Sequence, residues 1–288
     1  MKIKTLSLTI ALALTLMASL FVMPISAADN GIVALYTFND AANVGKDSSG
    51  NGHDLAQFDS SNVTSADGIA TFGASDYLYV APDQDFTDAL TDFTFTARFK
   101  TSGVPVDNWC PIYTGWDNDA GMALCLRDGY VCIDNKSTGT NWLHYQNANG
   151  NDLYTDFHQY TITYNSQTKL MNLYIDGAVV VLSGGDANGV AIADLAMNGS
   201  TPFAIGAAAN GGGWHGYSFE GQIDEVAVYN KALTAAEVAA LQTVPMPNET
   251  PEETPDPAPE TADALSLGIA TAAMALICGA VVVNKKRR

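Results

Sequence analysis

The stretch Gly221-Gln222-Ile223-Asp224-Glu225-Val226-Ala227-Val228-Tyr229-Asn230-Lys231-Ala232-Leu233-Thr234-Ala235-Ala236-Glu237-Val238 decides the fold. Residues 222–229 alternate with period two, carry β-branched and aromatic side chains, and read as a strand. Thr234 with Glu237 has the spacing of a capping box, and Leu233 with Val238 that of a hydrophobic staple, so a short helix is expected from Ala235. In strict alternation Asp224 shares a face with Val226 and Val228, while Ile223, Glu225, Ala227 and Tyr229 share the other. If the Val226 face is the core, the Asp224 carboxylate at its edge needs a hydrogen-bond donor or a cation.

Upstream of this corner, short strands recur: Gly31–Phe38, Gly68–Phe72, Tyr77–Val80, Phe93–Lys100, Cys110–Gly115, Gly121–Arg127, Tyr130–Asp134, Tyr160–Asn165, Lys169–Ile175, Ala178–Leu182 and Phe203–Ile205. Gly, Asn, Asp and Ser clusters separate them at the spacing of a β-sandwich, and no longer amphipathic helix is expected. Asp128-Gly129 and Asp176-Gly177 are two-residue hairpin signals. The first pairs residue 127 with 130, 126 with 131 and Cys125 with Cys132. A disulfide between Cys125 and Cys132 is one state this allows, although they would form a hydrogen-bonded pair, where the geometry is less favourable; reduced thiols, with Cys110 beside them, are the other.

Residues 29–243 hold 7 Lys plus Arg against 25 Asp plus Glu, which accounts for the whole formal net charge of −18. All but three of those acids are Asp, a turn-former, so a loop-rich β-protein with an acidic surface is expected. Nucleic acid is excluded as a partner, because phosphate binding needs clustered Lys and Arg.

Both ends read as targeting segments. Residues 1–28 have the basic start, apolar run and Ser26-Ala27-Ala28 ending of a secretory signal peptide. After the folded segment 29–243, residues 244–263 form a Pro/Glu/Thr-rich stalk. Residues 264–283 are apolar over about 20 positions, enough to span a bilayer, and the basic tail 284–288 would stay cytoplasmic. The expectation is an exported domain held at a cell surface, in the membrane or on the cell wall.

The opening stretch resembles the C-terminal signature of bacterial laminin G-like domains of the concanavalin A-like lectin/glucanase superfamily. Two more segments share the resemblance: "ALYTFND…DSSGNGHDL" near the N-terminus and "DFHQYTITYNSQTKLMNLYIDGAVV" in the middle, where Phe157 replaces the usual Trp. It covers about Gly31 to Gln242. It implies an all-β jelly-roll sandwich of two antiparallel sheets with a short C-terminal helix, the N-terminal segment lying beside the C-terminal strand. It also implies frequent calcium and carbohydrate binding, without fixing one function. Separately, Ala258-Pro259-Glu260-Thr261-Ala262 resembles a sortase signal with Ala258 for Leu and Ala262 for Gly, which would place cleavage between Thr261 and Ala262 and suggests a Gram-positive cell.

The turn Asp47-Ser48-Ser49-Gly50-Asn51-Gly52-His53-Asp54-Leu55 is dense in oxygen ligands, as a calcium loop must be. Asp47 and Asp224 are its expected side-chain ligands, with Asn51 a third; any tight turn favours the same residues. For glycan binding the candidates are Trp116 with Asp117 and Asn118, Trp142, and Trp214 with His215, since a flat ring stacks on the apolar side of a sugar while polar neighbours bind its hydroxyls. No catalytic constellation is recognised. The nearest match to a glucanase E-x-D-x-x-E motif is Glu220, Asp224 and Glu225, and in strict alternation Asp224 and Glu225 face opposite sides. The four His are expected in structural roles. The reading is therefore a carbohydrate-binding module without catalytic activity, the alternatives being an adhesin for a surface protein and a hydrolase of the same fold.

Overall fold

The computed structural model describes residues 31–58, 61–102, 110–116, 121–127, 130–135, 143–146, 155–193, 195, 197, 202–209 and 215–242. The chain divides into two units, 1–248 and 249–288, and every described residue lies in the first. Segments 1–28 and 244–288, with Thr261 and Ala262, lie outside the described residues. No described helix is long and apolar enough to cross a membrane.

The strands, in chain order, are β1 (Ile32–Tyr36), β2 (Ala56–Gln57), β3 (Thr64–Ala66), β4 (Ile69–Phe72), β5 (Leu78–Tyr79), β6 (Phe93–Thr101), β7 (Cys110–Trp116), β8 (Gly121–Arg127) and β9 (Tyr130–Asn135). They continue with β10 (Leu143–Gln146), β11 (His158–Asn165), β12 (Leu170–Ile175), β13 (Ala178–Val180), β14 (Val190–Ala191), β15 (Ala204–Ile205), β16 (Ala207–Ala209), β17 (His215–Ser218) and β18 (Gly221–Tyr229); helix α1 (Ala235–Leu241) closes the domain. One sheet, here sheet A, runs β13-β12-β11-β6-β18-β4-β3, with β1 on β18 and β14 on β12. Sheet B runs β10-β9-β8-β7-β15-β5-β2, and β16 with β17 makes a separate ribbon. Every pair is antiparallel. This is the jelly-roll sandwich expected from the sequence.

Between the sheets lies one apolar core rich in rings. Sheet A contributes alternate residues Phe93, Phe95, Ala97 and Phe99 of β6 and Tyr160, Ile162 and Tyr164 of β11. The Phe99 and Tyr160 rings stack at 4.4 Å, and Phe95 stacks at 5.1 Å on Tyr113 from sheet B. Such offset ring pairs add specificity to what is otherwise area burial. As expected, the first strand closes the sheet on the last: Tyr36 faces Val226 and Ala34 faces Val228.

Strand β18 departs from its simple alternation. Against β6, Ile223 faces Phe99 but Glu225 faces Arg98, so Asp224 is the extra residue of a β-bulge. The bulge resets the phase: Ile223 lies in the same core as Val226 and Val228, not on the opposite face, and Asp224 is removed from the Val226 row. Asp224 instead meets Arg98, Nη1 to Oδ2 at 2.5 Å.

The corner after β18 forms as its sequence dictates. Thr234 Oγ1 accepts the Glu237 N–H while the Glu237 carboxylate accepts the Thr234 N–H, and Leu233 and Val238 pack together with Tyr174. Thr94 on β6 docks this corner: its hydroxyl donates to the Lys231 carbonyl at 2.8 Å and accepts the Leu233 N–H at 2.9 Å. The far end of α1 rests on the Asp176-Gly177 hairpin turn, both residues of which have positive φ, as such a turn requires. Thr94→Val will leave the buried Leu233 N–H without its acceptor and should lower stability by about 1–3 kcal/mol in denaturant unfolding, with the β-sheet circular dichroism retained.

Candidate functional site

The Trp-bearing segments all attach to sheet B or its ribbon. Strand β7 starts one residue after Trp109 and ends at Trp116, β10 starts one residue after Trp142, and β17 starts one residue after Trp214. The two ends of β7 are about 20 Å apart, at ~3.3 Å per residue, so no single sugar ring reaches both. Asp117, Asn118, Trp142 and Trp214 lie outside the described residues, as do the side chains of Trp116 and His215. The backbone places His215 opposite Ala209 in the ribbon.

The ribbon rests against β7 on the outer face of sheet B. It leaves β15 at Gly206, whose φ of 97° and closeness to the Phe72 ring and the Asp76 carbonyl leave no room for a side chain. Ala207 then packs with Tyr77 and Ala204, and Ala208 with Ala123, Cys125 and Cys132. The elements that carry Trp116 and His215 are thereby brought together, β7 under the ribbon.

Cys125 and Cys132 are directly opposed, as the hairpin spacing requires, yet no disulfide joins them. Each sulfur instead points to a carbonyl, Cys125 Sγ to Cys132 O at 3.5 Å and Cys132 Sγ to Tyr130 O at 3.9 Å. The disulfide that the sequence allowed between Cys125 and Cys132 is not formed: both thiols are reduced, in a hydrogen-bonded antiparallel pair whose geometry is less favourable for bridging. Three of the histidines take the structural roles expected of them. His53 packs on Phe86 at 4.6 Å, His158 Nδ1 pairs with Asp176 Oδ2 at 2.5 Å, and His144 meets the Tyr130 ring edge-on at 5.1 Å.

The residues expected to hold calcium are engaged by the protein. Asp47, 3% exposed, accepts the Leu35 and Ser49 N–H groups on Oδ1 and the Ser49 hydroxyl and His53 N–H on Oδ2, all at 2.9–3.0 Å. Its four acceptor positions are filled. Burial would raise this carboxyl, but the hydrogen bonds from His53, Ser49 and Leu35 outweigh it and hold the pKa below the usual range. The Asn51 amide donates to the Ile32 and Val33 carbonyls at 3.0 and 2.9 Å, and Asp224 is paired with Arg98. The turn thus works as a clamp on β1. Among the described residues no group of three or more His, Cys, Asp and Glu is placed to hold a metal ion.

The bulge also overturns the expectation that Asp224 and Glu225 face opposite sides, because both bulge residues stand against Arg98. Burial, reinforced by the Asp224 charge and only partly relieved by Arg98, pushes the Glu225 carboxyl up to about 7. The Tyr229 hydroxyl, raised to about 12 by burial and by Glu225, completes the cluster. Arg98 and Lys100 both lie over the Phe157 ring, 5.0 and 4.9 Å from its centroid. Strict alternation gave no sign of this cluster; a bulge at a buried acid is the signal that would have.

Two measurements test these assignments. Asp47→Asn removes two acceptor positions and should lower the melting temperature by the same amount in calcium and in EGTA. As a carboxyl with a lowered native pKa stabilises only above its unfolded pKa, the penalty should fade as the pH drops through its native pKa. Glu225 has the opposite sign: stability should fall between the unfolded pKa of 4.5 and the native value of about 7, then level off. Glu225→Gln should abolish that slope, and at pH 8 the variant should be more stable than the parent, by up to about 3 kcal/mol at 1.36 kcal/mol per pKa unit.

Comparison with known proteins agrees with the architecture. No curated protein matches the sequence. Among solved structures, domain 4 of AbnA, a GH43 extracellular arabinanase from Geobacillus stearothermophilus, in complex with arabinotriose, is 19% identical with a TM-score of 0.54, over 74% of this chain and 98% of that one. The binding domain of Paraclostridial Mosquitocidal Protein 1 is 18% identical at a TM-score of 0.56, over 75% of this chain and 52% of that one. A botulinum neurotoxin type C structure, from work on cell entry through two ganglioside molecules, is 13% identical at 0.50, over 75% and 51%. The chain spans about half the length of the last two, and at these identities the likeness is one of fold. A family model described as concanavalin A-like lectin/glucanases superfamily matches residues 72–239, more than half of the sequence. The chain belongs to the laminin G-like domains of that superfamily.

Proposed function

We propose that this protein is a non-catalytic carbohydrate-binding module, exported and held at the cell surface, with its ligand on the sheet B side of the sandwich. The observation that carries the reading is that each of the four Trp lies at the end of, or one residue before, a strand of sheet B or of the β16–β17 ribbon: Trp109 and Trp116 at β7, Trp142 at β10 and Trp214 at β17. Trp residues spaced along the strands of one sheet and its ribbon would suit an oligosaccharide better than a monosaccharide. The relatives lend support: the arabinanase domain that this fold covers almost end to end holds arabinotriose, and the neurotoxin type C work concerns gangliosides. Trp116, Asp117 and Asn118 would form one contact group, Trp214 and His215 another, with Trp142 beside the edge strand β10.

Catalysis is not part of the proposal, because Asp224 of the glucanase-like match is paired with Arg98. The signal segment 1–28, the stalk 244–263 and the apolar segment 264–283 support export and surface attachment.

The test is a screen of the purified full chain against a glycan array and insoluble polysaccharides, at low and high salt. Saturable binding to one glycan class, little affected by salt and weakened at least about tenfold by Trp116→Ala or Trp214→Ala without loss of melting temperature, is expected. A folded protein that ignores every glycan but binds surface proteins in a salt-sensitive way would replace this reading with a protein adhesin.

A further inference from the structure

We propose that the open edge of β13 is a docking site for an extended, β-branched segment of another protein that carries Lys or Arg at its ends, taken up as one more strand of sheet A. The site stands apart from the glycan reading, on the other sheet. Sheet A ends at β13 and β3, and sheet B at β10 and β2. An exposed edge offers a row of N–H and C=O groups to any passing strand, so folded proteins keep their edges short, charged or covered. Three of these four edges are kept so. Strand β2 has 2 residues, and β3 is the short Thr64–Ala66 followed by Asp67. Strand β10 is tied down by the segment after β13: the His144 N–H donates to Ser183 Oγ at 3.1 Å, and the His144 carbonyl accepts the Ser183 N–H at 3.0 Å.

Strand β13 has no such protection. It reads Ala178-Val179-Val180, with Val181 next, and it pairs with β12 alone. The Asp176-Gly177 turn makes Ile175 and Ala178 the first hydrogen-bonded pair and Leu173 with Val180 the next. The N–H and C=O groups of Ala178 and Val180 therefore point at β12, while those of Val179 point outward, and those of Val181 follow in the same phase. No described residue bonds to the Val179 or Val181 backbone. Their side chains are 41% and 51% exposed, whereas Val180 and Leu182 pack toward the core. Backbone groups and an apolar strip are thus offered together, and β-branched side chains are good cross-strand partners for one another.

Charge decides the occupant. No Lys or Arg occurs between Lys169 and Lys231, and residues 177–185 carry no charge at all. An acid stands at each end of the edge: Asp176 in the turn, with His158 beside it, and Asp186 in the loop that returns to β12 at Met171. Asp186 is exposed, and its carboxylate accepts the Asn188 N–H at 2.7 Å. A second copy in antiparallel pairing would bring the same acids to the same ends, with a second net charge of −18, and is repelled. A strand with cationic ends meets attraction at both and an apolar match between them.

The experiment is fluorescence anisotropy of labelled synthetic peptides titrated with the purified full chain, beside sedimentation velocity of the chain alone. The probes are a peptide of alternating Thr and Val with paired Lys at both ends, its counterpart with paired Glu, and a Lys-ended peptide with Pro in place of every Val. The first should bind saturably and lose at least about threefold in affinity between about 50 mM and about 500 mM salt. The other two should bind about tenfold more weakly or worse. Val179→Pro removes an outward N–H without touching a rung to β12, and Val181→Lys puts a cation on the edge. Each should weaken binding about tenfold or more, whereas Val181→Thr should stay within about threefold of the parent. Where Val179→Pro melts lower than the parent, Val181→Lys, at an exposed position, carries the comparison. Undiminished binding by Val181→Lys would overturn the edge as the site, and equal binding of the Glu-ended peptide would overturn the partner class. A folded chain that binds none of the peptides would overturn the proposal, and so would a dimer of the chain alone that Val181→Lys dissolves, which would hand the edge to a second copy. The glycan reading is untouched by any of these results.

Discussion

The joint between Asp224 and Arg98 sets the geometry of sheet A. Strand β18 carries β1 on one side along its second half, β4 along its first half, and β6 along its whole length. A strand in strict alternation would direct Ile223 away from the core that Val226 and Val228 fill. One extra residue corrects the phase, and the guanidinium opposite neutralises the acid that the correction leaves buried. The same device creates the raised Glu225 carboxyl, so the electrostatics of this face follow from a packing requirement. In a protein this acidic the few cations are placed at such joints: Lys46 on Asp54 beside the β1 clamp, and Lys231 on Glu237 at the start of α1.

The two outer faces of the sandwich are finished differently. That of sheet A is closed by α1 and by a buried polar stripe in which Gln242 donates to Gln159, Gln159 to Thr96, and Thr161 to Thr96. Each member of the stripe finds a partner, which is what allows polar side chains to sit under a helix. Among the described residues, sheet B is crossed by a two-stranded ribbon whose own buried contact residues, Ala207 and Ala208, are small and pack on Ala123, Ala204, two thiols and the Tyr77 ring. Small side chains let a ribbon lie close without a second core.

How much of this was legible in the sequence depends on range. The capping box at Thr234, the staple of Leu233 on Val238, and the Asp176-Gly177 turn are local, and each formed as read. The pairing of β1 with β18 came from the family resemblance. The Asp224 bulge was invisible, since period two holds on either side of it and the slip is defined only against β6. Strand β10 and the ribbon were missed because Leu143–Gln146 and Ala207–Ala209 carry little β-branched or aromatic patterning, and their pairing is set by tertiary contact. Asp47 was found as a key residue through its suitability for a cation, and the structure shows it accepting backbone N–H groups and a hydroxyl; both demand the same carboxylate, so the sequence does not separate them. For the tryptophans, the sequence gives polar neighbours and the structure adds the shared sheet.

The Asn230 N–H donates to the Gly31 carbonyl at 2.7 Å, next to the Ile32–Tyr229 pair, so the chain enters the sandwich beside the place where its last strand ends. A domain with adjoining entry and exit behaves as a bead on a string. It is open to insertion into a loop of another protein, to duplication in tandem, or to circular permutation, without its sheets being rethreaded. Its mechanics follow as well. Tension drawn through both ends would act across the rungs between β1 and β18 one after another, as a zip opens, whereas tension between a bound surface ligand and the C-terminal side would bypass that seam. The same seam is therefore weak toward a pull on its two ends and shielded from a load taken through the opposite sheet.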